Sequence, residues 1–196
     1  FGISKIIGKK NSKGQELSKI YEDLNSSQTY QFEWEQNENN KTIMAKDGDK
    51  ILIDQYSKED STIQNHSKTL IKDNITYFIL PDRKEYYVYE GNTVDQTSFL
   101  TDGIKDIMGK EYTKGNEKVK GKRYDYEEYN GSSMFLIDNS LNLEENDIKT
   151  RFYFDKKGNL VYIKTLYGDK HELLKVSLSK DVDSSVFEIP ADYAEN

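Results

Sequence analysis

The chain has 196 residues, of which 32% are charged and 35% hydrophobic, with 28 lysines and arginines against 35 aspartates and glutamates. The net charge of −7 would repel a phosphate backbone, and no broad basic face interleaved with aromatics is present, so the composition argues against nucleic-acid binding. Cysteine is absent, which excludes disulfides, thiolate catalysis and cysteine-ligated metals.

The first 13 residues are predicted to form a linker or N-terminal tether ahead of a single domain over residues 14–196. Residues 1–13 contain four lysines and no acidic residue. A solvated tether explains these lysines more simply than contact with an anionic surface does. The chain starts at Phe1, which a removed signal peptide and an arbitrary boundary explain equally well.

The first half of the domain alternates between apolar and polar residues after one short helix. Leu17, Ile20 and Leu24 recur at helical spacing, which predicts an amphipathic helix. Residues 30–35 then alternate strictly, with every second side chain aromatic, which is typical of a half-buried strand. A hairpin is predicted around Asp47-Gly48-Asp49, and strands over 62–72, 75–80 and 84–90 follow.

The second half contains one more predicted helix, within residues 95–111, where apolar residues return to helical spacing. Strands are predicted over 117–129, 132–138, 148–155, 159–167 and 171–179, and an aspartate cap on a final helical turn near 181–184. About ten consecutive strands predict a mainly β fold with two or three helices. The expected architecture is an antiparallel curved sheet or incomplete β-barrel (half-barrel) with helices in its concave face.

Residues suited to catalysis are few and do not form a motif. His66 and His171 lie in different predicted strands, and no phosphate loop, nucleophile elbow, zinc spacing or calcium loop is present. A surface hydrolase that uses the carboxylates of Asp125, Glu127 or Glu128 is the weakest of three functional hypotheses. We therefore predict no catalytic residue, no metal site, no cofactor and no enzymatic activity.

Aromatic residues are the remaining feature, because 15 Tyr, 8 Phe and one Trp occur on nearly every predicted strand. Core packing is the simplest explanation for them. A curved sheet that its helices cover incompletely would also leave an apolar hollow that can take a ligand. The side chains predicted to line such a hollow are Tyr30, Phe32, Trp34, Phe78, Tyr126, Phe152 and Phe154.

Several segments resemble the bacterial lipoprotein-carrier superfamily with the LolA/LolB-like fold, in particular its uncharacterised secreted or envelope lipoproteins. These segments cover most of the chain in element order: 17–24 with Tyr-Gln-Phe-Glu-Trp at 30–34, 119–129, 151–155, 158–161, and the ending 182–193 with Phe-Glu-Ile-Pro and a following Tyr. The resemblance implies a half-barrel with helices in its mouth, a hydrophobic cavity for acyl chains, and residence outside the cytoplasm.

From this resemblance we expect an extracytoplasmic protein of the bacterial cell envelope, either secreted or held at the membrane by an N-terminal anchor missing from this sequence. The expected ligand is a lipid or another apolar molecule with an acyl chain. The alternative is an envelope protein-interaction or sensing module, in which the same scaffold contacts a protein partner and its core is filled by side chains.

Overall fold

The computed structural model describes residues 6–7, 15–37, 39–59, 62–90, 99–131 and 148–196. The chain divides into two compact units. Unit 1 contains Phe1–Ser26 and Leu100–Val176, and unit 2 contains Ser27–Phe99 and Ser177–Asn196. The strand predicted over 132–138 lies outside the described residues.

In chain order, the described elements are β1 (Ile6–Ile7), α1 (Glu16–Ser26), β2 (Thr29–Asn37), β3 (Asn40–Asp47), β4 (Lys50–Glu59), β5 (Thr62–Lys72), β6 (Ile75–Leu80), a 3₁₀ turn (Pro81–Arg83), β7 (Glu85–Glu90), α2 (Phe99–Met108), β8 (Tyr112–Val119), β9 (Lys122–Asn130), β10 (Ile148–Phe154), β11 (Leu160–Tyr167), β12 (Lys170–Ser179), a second 3₁₀ turn (Ser184–Phe187) and β13 (Ala194–Glu195). The predicted fold class is confirmed, because the described chain is mainly β, its curved sheet is antiparallel except for the β7–β13 pair and is not closed into a barrel, and helices are few.

In unit 1 the strands follow the order β1-β8-β9-β10-β11-β12, and the neighbouring pairs are antiparallel. The prediction of one continuous strand over 117–129 was wrong, because β8 and β9 form a hairpin there. Lys120 and Gly121 both have positive φ, 44° and 88°, and two such residues form the turn that matches the twist of a hairpin. Ile6 and Ile7, inside the predicted linker, pair with β8.

Both described helices bury an apolar stripe in unit 1, as their sequence spacing predicts. The buried positions are Leu17, Ile20 and Leu24 on α1, and Leu100, Ile104 and Ile107 on α2. Among the described residues, no helix is both long enough and apolar enough to span a bilayer.

In unit 2 the strands β2 to β7 form an antiparallel meander, and β13 pairs with β7 in parallel. Residues 182–193 are here called the closing segment. Within it, Asp183 accepts a hydrogen bond from the Ser185 N–H at 2.9 Å, so the predicted aspartate cap is confirmed. Phe187, at the end of this 3₁₀ turn, is fully buried.

Candidate functional site

One face of the unit 2 sheet carries an almost uninterrupted row of apolar side chains. The cross-strand register pairs Phe32 with Met44, Met44 with Ile53, and so on across six neighbouring strands. Side chains paired in register lie on the same face of a sheet. We call this set the apolar row: Phe32, Met44, Ile53, Thr69, Phe78 and Tyr87.

The apolar row is closed at one end and accessible at the other. Phe32 and Met44 are buried at 0% and 3% exposure. The other four members are only half-buried, so part of each side chain can contact solvent or a ligand. With strands about 4.8 Å apart, the accessible positions from Ile53 to Tyr87 span roughly 14 Å.

The flanking positions on the same face are mostly uncharged. Trp34 packs against Phe32 with ring centroids 5.7 Å apart, beside the closed end. Thr76 lies next to the accessible end, and its Oγ1 is buried without a hydrogen-bond partner in the described part of the chain. A buried hydroxyl without a partner costs free energy, so a polar atom of a ligand would stabilise this position.

The opposite face of the same sheet is filled by the chain itself. Phe187 packs with Ala45, Leu52, Leu70 and Ile79 into a buried cluster. Further side chains from the closing segment pack against that cluster: Val182, Val186, Ile189 and Tyr193. The two faces of unit 2 therefore differ, one being sealed by the closing segment and the other leaving an accessible apolar row.

Four of the seven side chains predicted to line a ligand site lie together on the face of the apolar row. Tyr30, Phe32 and Trp34 alternate along β2, and Phe78 lies in the row on β6. The other four members of the row were missed, because their membership follows from strand register: Met44, Ile53, Thr69 and Tyr87. In the sequence, the alternating positions of Ile51 and Ile53 indicate that both side chains lie on one face of a strand. They do not indicate which residues of the neighbouring strands lie beside them.

The other three predicted side chains belong to unit 1. Phe152 and Phe154 are buried, at 1% and 3% exposure. Phe152 pairs in register with Glu127, so both lie on one face, whereas Tyr126 points from the other face beside Tyr153. Tyr126 and Phe152 therefore do not line a common surface.

Glu127 is a buried carboxylate, 1% exposed, that anchors the start of α1. It accepts hydrogen bonds from the N–H groups of Glu16 and Leu17 at 2.6 and 3.1 Å, and from the Tyr129 hydroxyl at 2.8 Å. The positive end of the helix dipole adds to this attraction. Burial and the Glu127 charge raise the pKa of the Tyr129 hydroxyl. These bonds assign Glu127 a structural role.

The opposite face of the unit 1 sheet holds a network of charges around Arg151. Its guanidinium donates to Glu128 at 2.5 Å and to Glu117 at 2.8 Å, and lies 4.6 Å from the centroid of the Tyr126 ring. Glu127 and Glu128 thus point to opposite faces and bind different partners, so they do not form the carboxylate pair that a hydrolase would need.

Glu117 also accepts hydrogen bonds from the Tyr153 hydroxyl at 2.6 Å and the Lys164 ammonium at 3.0 Å. Burial opposes its ionisation, but these donors and Arg151 outweigh burial, so the pKa of Glu117 falls below its ordinary value of 4.5. The stabilisation is therefore complete above about pH 4.5 and is lost as the pH falls through the folded-state pKa.

We expect Glu117→Gln to unfold at lower urea than the wild type at pH 7, and the two midpoints to converge as the pH falls below about 4. Urea titrations followed by circular dichroism at several pH values measure this. A gap between the midpoints that stays constant down to about pH 3 would show that the Glu117 charge contributes nothing.

The two histidines lie on different strands, as predicted, and in different units. His66 lies on β5 of unit 2, where its Nε2 is 2.7 Å from Asp54 Oδ1, and Lys68 binds the second oxygen of Asp54 at 3.2 Å. His171 is exposed on β12. No group of three or more metal-ligating side chains occurs among the described residues.

No protein-family profile and no curated protein matches the chain. Among solved structures, the chain is similar to an uncharacterized conserved protein from Thermus thermophilus, with 13% identity and a TM-score of 0.49. The alignment covers 94% of this chain and 98% of that one.

Proposed function

We propose that this protein is a non-enzymatic, extracytoplasmic domain that binds a lipid acyl chain, or another apolar ligand of similar shape, along the apolar row of unit 2. The accessible half of the row carries the proposal. Ile53, Phe78 and Tyr87 keep partial exposure on a face where Thr69 is the sole polar member of the row.

The free energy for such binding would come from removing apolar surface from water. Each methylene group of a ligand that is buried contributes about 0.8 kcal/mol. An acyl chain lying across β4 to β7 would cover the half-buried side chains, and its polar head or ester could bond the Thr76 hydroxyl, which lacks a partner among the described residues. Location in the bacterial envelope, and attachment through an N-terminal anchor, rest on the sequence resemblance to the lipoprotein-carrier superfamily.

Palmitate binding tests the proposal. We expect native mass spectrometry of the protein with palmitate to give a one-to-one complex, and isothermal titration calorimetry to give its affinity. Phe78→Glu places a carboxylate in the row, which would have to be desolvated under the acyl chain. We expect it to weaken binding by about tenfold or more.

Gln55→Glu is the matched control, because it adds the same charge at an exposed position on the same face, one row away. Its palmitate affinity should stay within about twofold of the wild type. Circular dichroism establishes that both variants remain folded. Absence of a palmitate complex, or equal affinity in both variants, would contradict the proposal.

The alternative function, an envelope interaction or sensing module, is favoured by Tyr89. This side chain is 55% exposed on β7 and lies on the same face as the apolar row. Exposed tyrosines often anchor protein interfaces, because the ring is apolar and the hydroxyl can bond. If palmitate fails to bind, and a photo-crosslinking residue at position 89 captures one protein in intact cells, this function replaces lipid binding.

A further inference from the structure

One end of the unit 1 sheet carries an excess of exposed positive charge. The β8–β9 turn and the β10–β11 turn lie at the same end, because Phe154 at the end of β10 pairs with Asp125 near the start of β9. The exposed basic side chains that these turns and their flanking residues present are here called the basic end: Lys118, Lys120, Lys122, Arg123, Lys156 and Lys157.

The acidic residues near this end leave most of that charge uncompensated. Asp155 is used within its own turn, where it accepts hydrogen bonds from the Lys157 N–H at 2.8 Å and from the Asn159 N–H and side-chain amide at 2.9 Å each. Asp125 is exposed on β9. Glu16, close to Gly158, is paired with Lys19 at 2.8 Å. No ion pair in the described part of the chain uses a side chain of the basic end.

The arrangement has a cost for folding. Lys118 and Arg123 are direct cross-strand partners, and like charges placed opposite each other destabilise a hairpin. Lys120 adopts a positive φ of 44°, which a side chain with a Cβ disfavours. Residues that disfavour folding locally, as these do, are expected at positions that serve a function.

We propose that the basic end docks on the head groups of an anionic lipid bilayer. The charges are five lysines and one arginine on two turns and the strand ends beside them, and lysine carries a compact charge on a flexible stem. Exposed charges spread over two turns and the neighbouring strand ends suit the diffuse array of charges at a membrane surface better than one bound phosphate. Because the whole chain has a net charge of −7, this end would also orient the protein.

Vesicle co-sedimentation tests the proposal with the full chain. We expect the protein to bind vesicles of phosphatidylglycerol mixed with phosphatidylcholine and to dissociate from them at high salt. It should not bind vesicles of phosphatidylcholine alone. The double variant Lys120→Gln/Lys157→Gln should lose about fivefold in partition coefficient for each lysine. Its palmitate binding should be unchanged, which separates this proposal from the previous one.

Lys149→Gln/Lys170→Gln is the matched control, since it removes two exposed lysines at the opposite end of the unit 1 sheet, where Lys149 pairs with Asn130 and Lys170 with Tyr167. It should keep its partition coefficient within about twofold. If both double variants lose the same fraction of the partition coefficient, binding depends on net charge alone, and the proposal is overturned. So would loss of binding in Lys9→Gln/Lys10→Gln with retention in Lys120→Gln/Lys157→Gln, or binding to soluble inorganic polyphosphate without binding to anionic vesicles.

Discussion

Replacing Glu127 by alanine is expected to lower the free energy of unfolding by about 3–5 kcal/mol, among the largest effects of any single substitution in this chain. The carboxylate accepts from two N–H groups at the start of α1 and from the Tyr129 hydroxyl. The alanine variant leaves these donors without their acceptor next to the buried sheet face, and each unsatisfied buried donor costs about 1–3 kcal/mol. Urea unfolding followed by circular dichroism measures the loss.

Two further variants isolate the cause of that loss. Glu127→Gln keeps one acceptor oxygen but turns an amide N–H₂ towards the remaining donors, so its stability should fall between those of the wild type and the alanine variant. Asp125→Ala changes an exposed carboxylate two residues earlier on the same face and should alter stability by less than about 0.5 kcal/mol. Hydrogen exchange of the α1 amides should rise in Glu127→Ala. Equal midpoints for Glu127→Ala and Asp125→Ala would refute the anchoring role.

Replacing Phe187 by alanine should lower the free energy of unfolding by about 3–5 kcal/mol. The ring is fully buried against Ala45, Leu52 and Leu70, on the face of unit 2 opposite the apolar row. Truncation removes the ring from this cluster and leaves a cavity that the surrounding strands fill only in part. Differential scanning calorimetry and urea unfolding both report the loss.

The conservative substitution Phe187→Leu keeps most of the volume and should cost less than about half as much. Ser184→Ala, an exposed position in the same 3₁₀ turn, is the control and should stay within about 0.5 kcal/mol of the wild type. If Phe187→Ala and Ser184→Ala unfold at the same urea concentration, the closing segment does not seal this face.

The alternating β2 segment illustrates how far sequence patterns reach. Strict alternation predicted that Tyr30, Phe32 and Trp34 share one face, and the strand pairing confirms it. The β8–β9 hairpin illustrates the limit, because Lys120-Gly121 interrupts a run that otherwise reads as one strand, and only the backbone angles reveal the turn. Glu127 and Glu128 are neighbours in the sequence, but their side chains lie on opposite faces of the sheet. Glu127 binds the start of α1, and Glu128 binds Arg151.

The sequence by itself determined the fold class, because hydrophobic periodicity, helix spacing and turn residues are local properties that depend on neighbours a few positions away. The tertiary structure alone decided which side chains meet, because strand register brings together residues that are distant in the chain. The apolar row joins six strands, and the basic end joins two turns that are far apart in the sequence. Phe187 is distant in sequence from the cluster it completes. Such pairings arise from long-range packing, which no local pattern encodes.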